Sequence, residues 1–322
     1  MRKKINLALV GSNFALKGYL PVIENNNNIN FKILCSRNVK KIKLTNRYKK
    51  LKLEKNWKKI FKKNIDLVIL VVPPKIQEKI IKFNLKYKKM IILEKPISTN
   101  YLKSKRLIDL LKKKKIKADI NLTFLNHPNF IYLRKIIKNQ KFGKVLNYSI
   151  NWNFVSHDYN IKKKTWKVQQ KLGGGITNIF LTHVLSYCEF LFGKNLIYNV
   201  NTSIDHFKKI SFLKKIKCEV KNPNNISGNI ILQVKKTGNQ NHVLKINFEK
   251  CSAIIENKSK DWTKNFRMKI NNKLIKFKKS NKYNDGRCDQ IESLIKQFLK
   301  RKNYERLNYC LNTEKIINQI KH

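Results

Sequence analysis

Acidic residues are scarce in this 322-residue chain: 19 Asp and Glu stand against 72 Lys and Arg, a formal charge of +53. Such an imbalance normally points to nucleic acid or an anionic membrane surface. The distribution of the charge argues otherwise. The basic residues are nearly all lysine, run along the whole length and accompany heavy use of asparagine and isoleucine, as in NNNNIN at 25–30 and LKKKKIK at 111–117. That skew is what A/T-rich codons produce, and the runs lack the interleaved arginine and aromatic side chains of a nucleic-acid groove. Solvated lysine faces are therefore expected, with a general attraction for anions and no specific nucleic-acid partner.

Other absences narrow the class further. Cys35, Cys188, Cys218, Cys251, Cys288 and Cys310 lie far apart, with no C-x-x-C pair and no histidine at ligand spacing, so neither a disulfide framework nor a metal site is expected. No apolar stretch approaches the ~18 residues of a membrane span, and MRKKINLALV leads into a strand-like run without a small-residue cleavage site. A cytoplasmic protein with no membrane partner is the expectation. What is present suffices for a core, with 42% hydrophobic and 10% aromatic residues. The length suggests two domains.

Residues 1–122 alternate strand-like and helix-like segments, the pattern of a parallel sheet with crossover helices. INLALVG (5–11), FKILCS (31–36), IDLVILVVPP (65–74), MIILEKP (90–96) and KADINLTF (117–124) read as strands. A first helix runs through Tyr19 and Ile23, and another through Ile76, Ile80, Ile81 and Leu85, at helical spacing. From 123 to 322 the texture changes. NFIYLRKIIKNQ reads as a helix, KVLNYSINWNF (144–154) as a half-covered strand, and GGGITNIFLTHVLSYCEFLFG (173–193) as a glycine turn entering an apolar helix. YNVNTSID, NIILQVKK, HVLKINFE, CSAIIEN, MKINN and LIKFKK then suggest an antiparallel sheet with helices on one face, and CDQIESLIKQFLKRK a closing helix. The expected fold class is α/β: a doubly wound parallel sheet, then an α+β domain with an open, mostly antiparallel sheet.

LALVGSNFALKGYLP at 7–21 has the place of a dinucleotide turn but only part of its chemistry. Such a turn uses one glycine for the tight bend, a second for approach to the pyrophosphate and a third for close helix packing. Gly11 meets the first need, Asn13 stands in the second place and Leu16 in the third, with the small Ala15 beside it. Asn13 tolerates positive φ, and its amide can donate to a phosphate. By itself the stretch fits a phosphate turn and a plain structural turn about equally. At the end of the second strand NAD-selective folds place an acidic residue, whereas this chain has Ser36 and Arg37. A guanidinium pairs with a 2′-phosphate, so NADP is favoured over NAD. The lysine of EKP, Lys95, emerges at the carboxyl edge of the sheet. There it can bond a substrate oxygen and stabilise charge on it, although a solvated lysine is the plain alternative.

Taken in order, VGSNFALKGYLP, IDLVILVVPP, EKPIST and TWKVQQKLGGGITNIFLTH resemble the Gfo/Idh/MocA family of NAD(P)-dependent oxidoreductases, as do FGKV at 142–145 and NDGR at 284–287. The resemblance runs nearly end to end. It implies a Rossmann domain followed by an α/β domain, hydride exchange with a carbinol of a sugar, sugar acid or sugar nucleotide, and homo-oligomers paired through the second sheet. It places Gly11, Ser12, Asn13, Phe14, Ser36, Arg37, Val72, Pro73, Pro74, Glu94 and Lys95 against the cofactor. Lys95 and His183 become the catalytic pair, and Lys95, Trp152, Trp166 and His183 face substrate, with Phe154, His157 and Asp158 nearby. Because Trp152 and Phe154 share one strand face, core or a subunit interface is an equal alternative for them, and a core histidine on an apolar helix is the plain alternative for His183. An imidazole suits proton transfer because its pKa lies near working pH. The chain departs from the family at three places: Ile179 stands where an Asp commonly shares the catalytic work, and Gln77 and Tyr19 each replace a frequent histidine. A family member that binds nucleotide or sugar without redox chemistry is the alternative implied by Ile179 and the missing glycines.

Overall fold

The computed structural model describes residues 4–37, 51–155, 165–169, 172–207, 210–235, 238, 240–278, 282–300 and 303–320. His157 and Asp158 lie outside the described residues. The chain divides into two compact units, one of residues 1–121 with 291–311 and one of residues 122–290 with 312–322.

In the first unit the elements run β1 (Ile5–Gly11), a π-helical turn Ala15–Tyr19 entering α1 (Leu20–Glu24), β2 (Ile29–Cys35), β3 (Lys52–Glu54), α2 (Trp57–Phe61), β4 (Leu67–Val71), α3 (Pro74–Tyr87), β5 (Met90–Glu94), α4 (Tyr101–Lys113) and β6 (Ala118–Asn121). The sheet order is β3-β2-β1-β4-β5-β6 and every pairing is parallel. The central strands are apolar without alternation, as strands covered on both faces must be; Leu7, Leu9, Leu67, Ile69, Ile92 and Leu93 are fully buried. Pro74 opens α3, where its missing N–H is harmless, and Lys88 closes it with a left-handed φ of 52°. Three elements of this unit are absent from the sequence-based expectation: β3 and α2, which are short and lysine-bearing, KLE and WKKIF, and α4, whose apolar stripe of Leu107, Ile108 and Leu111 is interleaved with lysine. The last strand also ends at Asn121 rather than 124, because residues Thr123–Asn126 form a 3-10 turn.

The second unit holds α5 (Pro128–Lys138), β7 (Val145–Val155), a π-helical turn Thr177–Leu181 entering α6 (Thr182–Phe192), β8 (Leu196–Phe207), β9 (Ile210–Lys221), β10 (Ser227–Lys235), β11 (Asn241–Phe248), β12 (Ser252–Asn257), β13 (Arg267–Ile270) and β14 (Lys273–Ile275). Its order is β14-β13-β12-β11-β7-β10-β9-β8. The sheet is mixed: β7 pairs parallel with β10, while the other pairings are antiparallel. Along β7 the side chains alternate, with Tyr148, Ile150, Trp152 and Phe154 buried and Ser149 and Asn151 exposed. The outer face is rich in amides, and Asn247 donates to Asn147 at 2.8 Å. Two C-terminal helices, α7 (Gly286–Lys300) and α8 (Glu305–Ile320), contribute residues to both units; β9 and α8 are absent from the sequence-based expectation.

One ion pair ties α8 into the first unit. Arg306 Nη2 lies 2.7 Å and Nε 3.0 Å from the carboxylate of Asp119 on β6, and Nη1 donates to Gln297 at 2.9 Å. Both partners are nearly dry, at 12% and 4% side-chain exposure. Removing one partner strands a buried charge, so Arg306→Met is expected to destabilise the fold by about 3–5 kcal/mol. Urea unfolding checks this, and adding Asp119→Leu should restore part of the loss.

Candidate active site

The parallel sheet reverses its winding between β1 and β4, the place where open α/β sheets bind ligands at their carboxyl ends. Gly11 ends β1 there with a φ of 144°, and a Cβ at this position would run into the carbonyl oxygen of Val71 on β4. The backbone is bare because nothing larger fits. Asn13 has a φ of 38°, the left-handed region that asparagine accepts readily. Ala15 is fully buried against Gly11 and so takes the close-packing role that Leu16 cannot. The ring of Phe14 lies over Gly18 and meets Tyr19 edge-on at 5.7 Å. Gly11, Ser12, Asn13 and Phe14 thus form a tight turn beside Val72, Pro73 and Pro74 at the end of β4. This bare, glycine-cornered cradle fits a dinucleotide pyrophosphate.

At the end of β2, Ser36 is buried, with its N–H donating to Glu54 O at 3.0 Å, and Arg37 is exposed. A carboxylate does stand near this edge, on β3, which the sequence reading did not see. Glu54 Oε1 accepts the N–H groups of Lys55 and Asn56, each at 3.0 Å, and these bonds hold its carboxyl below the usual carboxylate range. It is turned to its own loop.

On β5 the turn that carries Lys95 is held from two sides. The Tyr19 hydroxyl donates to Glu94 Oε1 at 2.5 Å, and Asn121 Nδ2 donates to the same oxygen at 2.9 Å. Burial pushes the Glu94 carboxyl up from its ordinary value against these bonds, and burial together with Glu94 raises the Tyr19 phenol. Gln77, on α3, bonds the backbone of the same turn. The Lys95–Pro96 peptide is cis. Asn121 was missed by sequence reading; its only signal is a polar residue ending an apolar strand at the carboxyl edge.

The second unit places His183 at the start of α6, where it is 4% exposed. Its ring meets Phe124 at 5.6 Å and Trp262 at 5.5 Å. Phe124 is the hub of an aromatic cluster that also takes in Phe130, Trp152, Tyr187, His242 and Phe266. Trp152, expected to face substrate, is 0% exposed and stacked on His242 at 4.4 Å and 6°. Its ring is core, with no face left for a sugar, and Phe154 is buried likewise against Phe180 at 3.6 Å. Trp166 is half-buried in a 3-10 turn. The glycine run presses on that turn: Gly173 and Gly175 have φ of 84° and 88°, and a Cβ on Gly174 would run into the carbonyl oxygen of Trp166. Ile179 is half-buried in the π-helical turn. Asn178 is turned back, Nδ2 donating to Gly174 O at 2.9 Å, which removes it as a stand-in for the missing carboxylate. Lys95 and His183 belong to different units.

Burial lowers the His127 pKa to about 4. Burial and, secondarily, His127 lower that of His242 to about 3. Neither histidine was singled out from sequence, where each is a lone histidine without a motif. Among the described residues no group of three or more His, Cys, Asp or Glu side chains is placed to hold a metal ion, and no helix is long and apolar enough to cross a membrane.

A parallel sheet in the order 3-2-1-4-5-6 with a glycine turn at its reversal defines a Rossmann-type dinucleotide-binding architecture, here followed by a mixed sheet. The chain belongs to the Gfo/Idh/MocA family: residues 5–121 match its oxidoreductase family, NAD-binding Rossmann fold, and residues 130–253 match the GFO/IDH/MocA C-terminal domain. An uncharacterized oxidoreductase of Schizosaccharomyces pombe is 26% identical over 147 residues, 46% of this chain and 39% of that protein. The matched stretch therefore spans about two-fifths of that relative's length. Among solved structures, a 3-ketoreductase from Actinomadura kijaniata in complex with NADP and TDP-benzene superposes with a TM-score of 0.79 at 12% identity, covering 99% of this chain and 97% of that one. A levoglucosan dehydrogenase in complex with NADH gives 0.79 at 14% identity, covering 99% and 96%. At such identities the likeness speaks for the fold.

Proposed function

We propose that the protein is an NAD(P)-dependent dehydrogenase or reductase acting on a CH–OH group of a sugar, sugar acid or sugar nucleotide. The observation that carries this reading is the Glu94–Lys95 turn, fixed at the carboxyl edge of the parallel sheet beside the Gly11 cradle. NAD(P), when bound, supplies or accepts the hydride. The Gly11–Phe14 turn, Val72–Pro74 and Glu94 hold it; the Lys95 ammonium donates to the substrate oxygen and stabilises the charge growing there; His183 exchanges the hydroxyl proton. Trp166 supplies an aromatic wall for the sugar, and the rings of Phe124 and Trp262 pack against His183. Structural neighbours solved with TDP-benzene and with L-sorbose motivate the substrate class.

NADP is the proposed cofactor over NAD, because Arg37 is exposed at the end of β2 while Glu54 is committed to its own loop. Titration with NADPH and NADH tests the reading directly. NADPH should bind more tightly, and Arg37→Ala should reduce that preference by about tenfold, the loss of one charge-assisted phosphate contact. Failure to bind either nucleotide would remove the proposal. One observation favours a second reading, a non-catalytic sensor or structural subunit: Ile179, in the π-helical turn that enters α6, leaves no carboxylate four residues before His183. Tight cofactor binding without turnover on a panel of sugars would favour it. We further propose a cytoplasmic protein, with a homo-oligomer paired through the amide-rich outer face of the second sheet.

A further inference from the structure

We infer that Gln77 is the positioning residue for Lys95, and that it couples the cofactor-lining end of β4 to the catalytic turn at the end of β5. The inference rests on the role proposed above for Lys95. Gln77 is 0% exposed on the first turn of α3. Its backbone N–H donates to Pro73 O at 3.0 Å, fastening it to the Pro73–Pro74 segment. Its side chain crosses to the neighbouring loop and brackets Lys95 on both sides. Oε1 accepts the N–H of Glu94 at 3.0 Å, and Nε2 donates to Glu94 O at 2.6 Å, Pro96 O at 3.1 Å and Ile97 O at 3.1 Å.

An amide has two N–H donors and one carbonyl oxygen, and here both donors and the oxygen are directed to the backbone of residues 94–97, with the donors shared among three carbonyls. The Glu94 carboxylate, immediately before Lys95, is fixed independently by Tyr19 and Asn121. The turn is therefore gripped through its main chain by Gln77 and through the Glu94 side chain by Tyr19 and Asn121, on both sides of Lys95. A buried backbone group that loses its partner retains the full desolvation penalty, so the turn cannot keep this course without the amide. A neutral histidine at position 77 offers one ring donor and one ring acceptor, held about a rigid ring, where glutamine offers two donors and an acceptor on one amide. The chain thus binds its lysine turn more completely than a histidine would, in a member that lacks the helix carboxylate at 179.

The test reads where Lys95 stands without needing the substrate. Full-length protein is acetylated with acetic anhydride in the presence and absence of NADPH, and modification of Lys95 is followed by peptide mass spectrometry. NADPH affinity is measured in parallel by fluorescence, and stability by thermal unfolding. In the wild type, saturating NADPH should slow acetylation of Lys95 by about fivefold or more, as occupancy of the adjoining cradle shields it. In Gln77→Met, similar in length but without hydrogen-bonding groups, that protection should fall below about twofold while NADPH still binds. Gln77→Asn keeps the amide but withdraws it by one methylene; it should lose protection too, and it decides the question if Gln77→Met does not fold. Gln77→His should recover an intermediate ratio. Variants that melt earlier yet keep the wild-type protection ratio would overturn the inference, since a merely structural glutamine would behave that way. A wild type that binds NADPH without any shielding of Lys95 would instead overturn the proposed role of Lys95, and this inference with it.

Discussion

Lys95→Ala should lower NADPH-linked turnover by about 10²–10³-fold, the usual effect of removing a group that stabilises charge developing on a reacting oxygen. NADPH affinity should change far less, because the cradle around Gly11 is untouched. His183→Ala should fall by about 10²–10⁴-fold, the range for a lost general acid or base. The pair should not be additive, since groups acting in one proton and charge transfer are used together; the double variant should sit near the worse single one. The distinction that matters is between kcat and binding. Loss confined to kcat at unchanged nucleotide affinity is the signature of interactions made in the transition state. Turnover that survives both substitutions removes the mechanism, even if the nucleotide binds as expected.

Acidification should unfold the second unit well before carboxylate titration is complete. His127 and His242 are buried, with pKa values lowered to about 4 and about 3, whereas in the unfolded chain each titrates near ~6.5. A depressed folded value means that the unfolded state takes up protons first. Stability is therefore fully present above the unfolded pKa and lost as the pH falls towards the folded one. Each group removes ~1.4 kcal/mol per pH unit, which for the two together reaches about 6 kcal/mol by pH 4, comparable with the whole stability of many domains. The groups facing His242 offer no relief: Tyr187 shares its Nε2 at 3.1 Å, and Trp152 and Phe266 cover its ring. Denaturant unfolding of the full chain between pH 7 and 4 should show this slope. His242→Phe, which keeps a ring to stack on Trp152, should roughly halve it while leaving the Tyr187 hydroxyl without its partner. An unchanged slope in that variant would remove His242 as a source of the acid sensitivity.

How far the sequence reaches differs from element to element. The buried strands β1, β4 and β5 are legible because a parallel sheet covered on both faces demands unbroken apolar runs, and α3 because its apolar residues recur at helical spacing after two prolines. Segments such as KLE and WKKIF are illegible: three to five residues carry too little periodicity, and pairing with an already formed edge is what makes β3 a strand. β7 shows both sides of this limit. Its alternation states that Trp152 and Phe154 share a face, but not what lies opposite. Only the assembled unit puts His242 and Phe180 there and makes those rings core.

The chain of residues by itself determined the class of fold, the carboxyl edge on which Lys95 emerges, and the family to which the chain belongs. These follow from local pattern, since periodicity and turn residues act over a few positions. The tertiary structure alone decided the partners: Glu94 with Tyr19 at a separation of 75 residues, Asp119 with Arg306 at 187, and Gln77 with the backbone on both sides of Lys95. A hydrogen bond depends on atoms meeting within about 3 Å, and that proximity is set by how strands and helices pack, which no local pattern encodes.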